Sequence, residues 1–223
     1  MSETSDDQER KRRERLERLV DPSTTAVLTM ELQRGIVGPT GMLPALVDQV
    51  AERGVLAAAG RVCDSARKAG ARVVHCTAEF RPDGAGATEN CKIFALGEKL
   101  RREQGLVPTA MGSEGARLAE ELGPEPSDII VPRMHGMTPF TSTSLDQMLR
   151  NLGVRTVVAT GVSVNLGVLG MCLSALDLGY QIVLVRDAVA GVPEEYAQAV
   201  VDHTLSLITT ITTSDELCSV WAS

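Results

Sequence analysis

The sequence predicts an α/β fold, a doubly wound three-layer sandwich of Rossmann-like type on a sheet of about six mainly parallel strands. Two observations carry this. The runs at 26–30 (AVLTM), 156–160 (TVVAT) and 182–186 (IVLVR) are apolar at nearly every position, as strands covered on both faces must be. Segments with helical spacing alternate with them, and Gly70, Gly123, Gly153 and Gly179 stand just past those segments, where a left-handed cap ends a helix.

Taken in order, residues 3–19 alternate charge sign, with Asp6/Arg10, Asp7/Lys11, Glu9/Arg13 and Glu14/Arg18 as acid-first i,i+4 pairs. Leu16, Leu19 and Val20 give this segment its apolar edge. It reads as an N-terminal helical arm over 1–20, leaning on the domain or a partner, or else as a frayed terminus. Residues 21–223 form one domain. Strands are expected at 25–30, 72–77, 128–131, 155–160, 181–186 and 207–212. Helices are expected at 43–50, 53–69, 113–122, 143–152, 165–178 and 193–205. The 143–152 helix carries Leu145, Met148, Leu149 and Leu152 as one stripe, and Thr143 with Asp146 resembles a capping box at its start. The stretch 78–112 holds Gly, Pro and charges with at most one short helix near 92–103. A connection of that length reads as a lid or an oligomer contact.

Composition narrows the function classes. The chain has 223 residues and a net charge of -7, which opposes binding to a phosphate backbone. Aromatic residues make up 3%, too few for a base-stacking platform. No nucleic-acid partner is expected. No apolar run approaches the roughly 20 residues that span a bilayer, and the N-terminus lacks an apolar signal core, so no membrane partner and a cytoplasmic location are expected. The five cysteines are odd in number and lack CxxC spacing, so they are expected as free thiols. No HxH or HExxH spacing suggests a metal, and no GxGxxG or Walker A motif suggests a nucleotide cofactor; none is expected.

In an open parallel sheet the ligand site lies outside the carboxyl ends of the strands. Three exits therefore matter: Glu31-Leu32-Gln33-Arg34-Gly35, then His75 to Arg81, then Gly161 to Gly167, which opens a helix. The candidates there are Glu31 as a carboxylate, His75 and His135 as ligand contacts, and Arg34, Arg81 and Lys92 as anion partners. Cys76 adjoins His75, but successive strand residues face opposite sides. Cys172 shares a helical stripe with Val164, Val168, Met171 and Ala175 and reads as core.

Residues 25–35 (TAVLTMELQRG) and 139–191, with Phe140, Thr143, Leu145, Gly161, Val162, Asn165, Val168, Gly179, Tyr180 and Asp187 in order, resemble the isochorismatase-like, or cysteine hydrolase, superfamily. The resemblance covers about 24–215. It implies an Asp, Lys, Cys triad, and carried over position by position these fall on Glu31, on Met134 with Arg133 beside it, and on Gly167. All three depart from the pattern. It also implies a cis peptide at Val162–Ser163, with the backbone at Ser163 and Gly167 as an oxyanion site. Phe140 and Met134 would wall the pocket. True isochorismatases likewise lack the cysteine and cleave a vinyl ether by protonation followed by water attack. That chemistry needs an acid in an apolar setting, and Val27, Leu28 and Met30 precede Glu31. Glutamate is one methylene longer than aspartate, and a misplacement of about 1 Å can cost roughly 100-fold in rate. Arg133 could take the lysine's slot if the loop is offset by one residue. It would hold an anion and not shuttle a proton.

Two functions compete. One is a hydrolase of a small molecule working without a covalent cysteine, with Glu31 as acid/base and Arg133 or Arg81 as anion clamp. The other is a catalytically silent relative that binds a small ligand or serves as an assembly subunit. The resemblance implies a homo-oligomer, dimer or tetramer, meeting through 80–112 and the helix after Gly167.

Overall fold

The computed structural model describes residues 5–141 and 143–222. Strands β1 (Thr25–Met30), β2 (Arg72–Ala78), β3 (Ile129–Arg133), β4 (Thr156–Val162), β5 (Gln181–Ala190) and β6 (Thr210–Thr212) form one sheet in the order β3-β2-β1-β4-β5-β6. Every neighbouring pair is parallel. The order reverses between β1 and β4, so the crevice beyond their carboxyl ends is the topological switch point.

Both faces of the sheet are covered. Val27, Val73 and Val158 pack with α1 (Ser5–Leu19), α3 (Pro44–Glu52), α4 (Val55–Ala69) and α10 (Ser214–Trp221) in one cluster. Leu28, Met30, Val157 and Ala159 pack in the other, against α6 (Leu145–Asn151), α7 (Leu169–Asp177) and α8 (Glu194–Ala199). Alternate residues of each strand thus feed opposite layers, which is why the strands read as continuously apolar. Short helix α2 (Arg34–Val37) follows the β1 exit, α9 (Ser206–Ile208) leads into β6, and α5 (Lys92–Gln104) lies within the long β2–β3 connection.

Several elements differ from expectation. The segment 113–122 is no helix. It forms two 3₁₀ turns, Glu114–Ala116 and Glu120–Leu122, because its backbone is drawn across to the β1 exit: Ala119 N–H donates to Leu32 C=O at 2.9 Å and Arg34 N–H to Arg117 C=O at 2.9 Å. Gly115 is required there, since a Cβ would fall 1.8 Å from the Pro108 carbonyl oxygen. Helix α10 was not anticipated. Strand β5 runs on to Ala190, and its pairing with β4 shifts between Ala159 and Gly161.

The N-terminal helix leans on the domain. Leu16 and Val20 enter the first core cluster. Arg12 pairs with Glu216 at 3.0 Å, and Trp221 Nε1 donates to Val20 C=O at 2.8 Å. Among the described residues its charge pairs include some in another register than expected. Arg13 pairs with Glu17 at 2.9 Å and reaches Ser219, while Arg10 pairs with Asp7 and Glu14. The side chain of Asp6 and residues 1–4 of the arm lie outside the described residues. Among the described residues no helix is long and apolar enough to cross a membrane.

Candidate active site

The site is built from three strand exits. Strand β1 ends at Met30, and Glu31 turns the chain with φ 55, an uncommon left-handed conformation for a side-chain-bearing residue. Its N–H donates to Cys76 C=O at 2.9 Å, which fixes the turn against β2. Two residues on, buried Gln33 ties three segments together. Its Nε2 donates to Ala78 C=O and Ala116 C=O, both at 3.0 Å, and its Oε1 accepts from Ala78 N–H at 2.7 Å. The sequence reading assigns Gln33 no role; an amide three residues past an apolar strand is the signal that marks it.

Strand β3 delivers Arg133 beside Glu31. The guanidinium Nη2 donates to Glu31 Oε1, and Nε donates to Gly136 C=O at 2.9 Å. Arg133 is 4% exposed and the Glu31 side chain 17%, so the carboxylate faces the crevice and the arginine lies behind it. Arg133 Nη1 is buried with no hydrogen-bond partner. An unpaired buried donor costs about 1–3 kcal/mol. The apolar setting expected for Glu31 is thus replaced by an ion pair: Arg133 stands beside the carboxylate, while Met134 lies half-exposed.

Strand β4 leaves through a cis peptide at Val162–Ser163. Ser163 Oγ donates to Asn165 Oδ1 at 2.6 Å, and its carbonyl accepts from the N–H groups of Leu166 at 3.0 Å and Val168 at 3.1 Å. A wide turn, Val164–Val168, runs directly into α7, so the positive end of a continuous helical segment opens at the crevice. At Gly167 a Cβ would stand 2.9 Å from Met30 Cε and 3.3 Å from Val162 C=O. The methionine methyl crowds the place a side chain would need.

These exits line a cavity of about 360 Å³, at the small end of ligand pockets. Of the candidates, Glu31, Arg81, Arg133, Met134, His135, Ser163 and Gly167 line it. Four others do not. Arg34 spans the surface to Glu114 at 3.2 Å and Glu120 at 2.9 Å, holding the 113–120 segment. Phe140 turns to the Tyr180 ring, 5.9 Å between centroids. Val162 is wholly buried in the sheet. His75 is wholly buried in a closed network described next. Lys92, at the exposed start of α5, also lies off the cavity wall. Arg81 is engaged by Asp83 at 2.5 Å, which neutralises much of its charge.

His75 Nδ1 meets Thr29 Oγ1 at 2.7 Å and Nε2 meets Asp128 Oδ2 at 3.2 Å, while Arg67 grips the same carboxylate at 2.8 and 3.0 Å. Burial pushes the His75 ring below its ordinary range, partly opposed by Asp128. Burial alone would raise the Asp128 carboxyl, but hydrogen bonds from Arg67, the Glu125 N–H and His75 hold it low. Cys76 and Cys172 are core residues whose thiols burial pushes up to about 12, so neither offers a thiolate. Among the described residues no three His, Cys, Asp or Glu side chains gather as a metal site.

Residues 25–216 match the model of the isochorismatase domain. The ureidoacrylate amidohydrolase RutB of Agrobacterium fabrum is 29% identical over 208 residues, covering 89% of this chain and 90% of the relative. An isochorismatase family protein from Burkholderia thailandensis superposes with TM-score 0.74 at 25% identity, covering 90% of this chain and 97% of the other. The N-carbamoylsarcosine amidase of Thermoplasma acidophilum shares the fold at TM-score 0.65 and 23% identity, covering 86% and 97%.

Proposed function

The chain belongs to the isochorismatase family, and from that premise we propose that it is a small-molecule hydrolase in which water, not a cysteine, attacks the substrate. One observation carries the reading: an open cavity holds the Glu31–Arg133 pair on one wall and a side-chain-free helix opening at Gly167 on another.

In this reading Glu31 accepts a proton from a water held in the cavity. The water oxygen bonds to the substrate's carbonyl carbon, and the carbonyl oxygen takes up negative charge near the backbone N–H of Gly167 and the positive end of the helical segment. The tetrahedral intermediate then expels nitrogen, which receives the proton from Glu31. Arg133 stays charged throughout and fixes the carboxylate. An ion-paired carboxylate accepts protons and has none to give first, which favours C–N cleavage over the vinyl-ether route that begins with an acid. The amidohydrolase relative is consistent with that choice.

The catalytically silent alternative has its own support. Met30 Cε crowds the position a nucleophile would occupy, and one Glu31 oxygen is spent on Arg133. Turnover assays on N-carbamoyl compounds, simple amides, nicotinamide and isochorismate separate the two. The hydrolase reading expects turnover on an amide or carbamoyl substrate, reduced by about 100-fold or more in Glu31→Gln. Full turnover in Glu31→Gln removes Glu31 from the chemistry. No turnover on any member, with binding retained, leaves the silent reading standing.

A further inference from the structure

One wall of the cavity is helix α5, and it contains an unexplained glycine. Gly97 lies in the interior of a thirteen-residue helix, where glycine is destabilising relative to alanine. Its φ is not positive, and nothing lies within 4 Å of the point where a Cβ would stand. Neither backbone geometry nor close packing accounts for it. What Gly97 does is leave the cavity open along one turn of α5, next to Glu98 and Arg101, which also line it.

Those two side chains form a second ion pair. Arg101 Nη2 lies 2.9 Å from Glu98 Oε2, with Nε at 3.0 Å from the same oxygen. Their side chains are only 25% and 14% exposed. The loop before α5 folds over the arginine at Gly84, where φ is 73 and a Cβ would fall 2.4 Å from Arg101 Nε. The rest of the wall is largely apolar, with Ile36, Leu46, Ile93, Phe94 and Val107, and it also carries Arg81, Thr88, Thr109 and His135. The lining therefore combines two ion pairs with a mostly greasy surface.

We propose that Gly97, Glu98 and Arg101 form a distal subsite that fixes specificity by binding the far end of an elongate substrate with an apolar body. The end group it takes is uncharged and carries both a donor and an acceptor, as a primary amide does. A charged group would have to pull Glu98 from Arg101 to be satisfied. A neutral donor–acceptor group adds to both, giving N–H to the carboxylate and C=O to the guanidinium. Gly97 provides the room beside them. The inference rests on the cavity being the substrate site and not on the water-attack step.

Calorimetric titration of the full chain tests it without any turnover. The ligands are the straight-chain diamides of four, six and eight carbons, compared with hexanamide, which has one amide end. At least one diamide is expected to bind about tenfold more tightly than hexanamide, the gain of two modest hydrogen bonds. In Glu98→Gln/Arg101→Met that advantage disappears, and in Gly97→Leu both ligands weaken by about tenfold as the side chain enters the cavity. Because α5 buries no residue, these variants leave the core intact. The proposal is overturned if no diamide outbinds hexanamide in the wild-type chain, if neither ligand type binds below about 10 mM, or if the advantage survives loss of the pair.

Discussion

Two buried acid–arginine clusters flank β2, and they differ in how completely they are satisfied. In one, Asp128 accepts from Arg67, from His75 and from the Glu125 N–H at 2.9 Å, and the remaining nitrogen of His75 is taken up by Thr29. The cluster closes on itself and presents nothing to a ligand. In the other, Arg133 keeps one buried donor unpaired, and Glu31 stands in a left-handed conformation facing the cavity. A fully satisfied polar network specifies structure. A network left short of partners at a strained position is where a ligand or a reacting water belongs.

The comparison can be broken at either cluster. The largest expected effect is Asp128→Ala, which strands a buried guanidinium and a buried imidazole; urea unfolding should show a loss of about 3–5 kcal/mol. Arg133→Met should cost less, about 1–2 kcal/mol by the same measurement, because the abandoned Glu31 carboxylate can turn to water in the cavity and an unpaired donor vanishes with the arginine. Equal losses would mean that both clusters are structural. The smallest effect is a pH slope. The folded state holds the His75 ring below its ordinary range, whereas the unfolded chain protonates it near pH about 6.5. The unfolded state then binds the extra proton, so this contribution to stability is full above that pH and falls as pH drops below it. Urea midpoints should decline from about pH 7.5 to about pH 5.5 in the wild-type chain and flatten in His75→Gln. Matching slopes in both would remove His75 from the closed cluster's account.

The sheet was legible in the sequence because its signal is local. Strands buried on both faces must be apolar throughout, and 25–30 needs no partner to announce that. The segment 113–122 was not legible. Its helical spacing is real, but long-range pairing to Leu32 and Arg34 and the close approach at Gly115 override it. Helix α10 was missed although its signal was present: Thr213 and Glu216 form a complete capping box ahead of Leu217 and Trp221. At the site, Glu31, Ser163 and Gly167 lie at strand exits that the sequence marks, whereas Arg133 entered only through the family resemblance. His75 is expected at a strand exit, but β2 runs on to Ala78 and leaves it mid-strand, where Thr29 and Asp128 enclose it; residue spacing alone does not show which residues meet across a sheet. The helix holding Glu98 and Arg101 was expected near 92–103, but a charge pair three residues apart on a helix reads as a solvated face, and nothing in the spacing shows that this one lines the cavity.

The clasp between the first and last helices has a practical consequence for optical measurements. The chain has one tryptophan, and its indole is bonded to the backbone of Val20, among residues remote from the cavity wall. Intrinsic emission at this position follows the joining of the two chain ends. Because α1 and α10 share one core cluster with the strands, a melting curve recorded through it reports on the layer that joins the chain ends to the sheet.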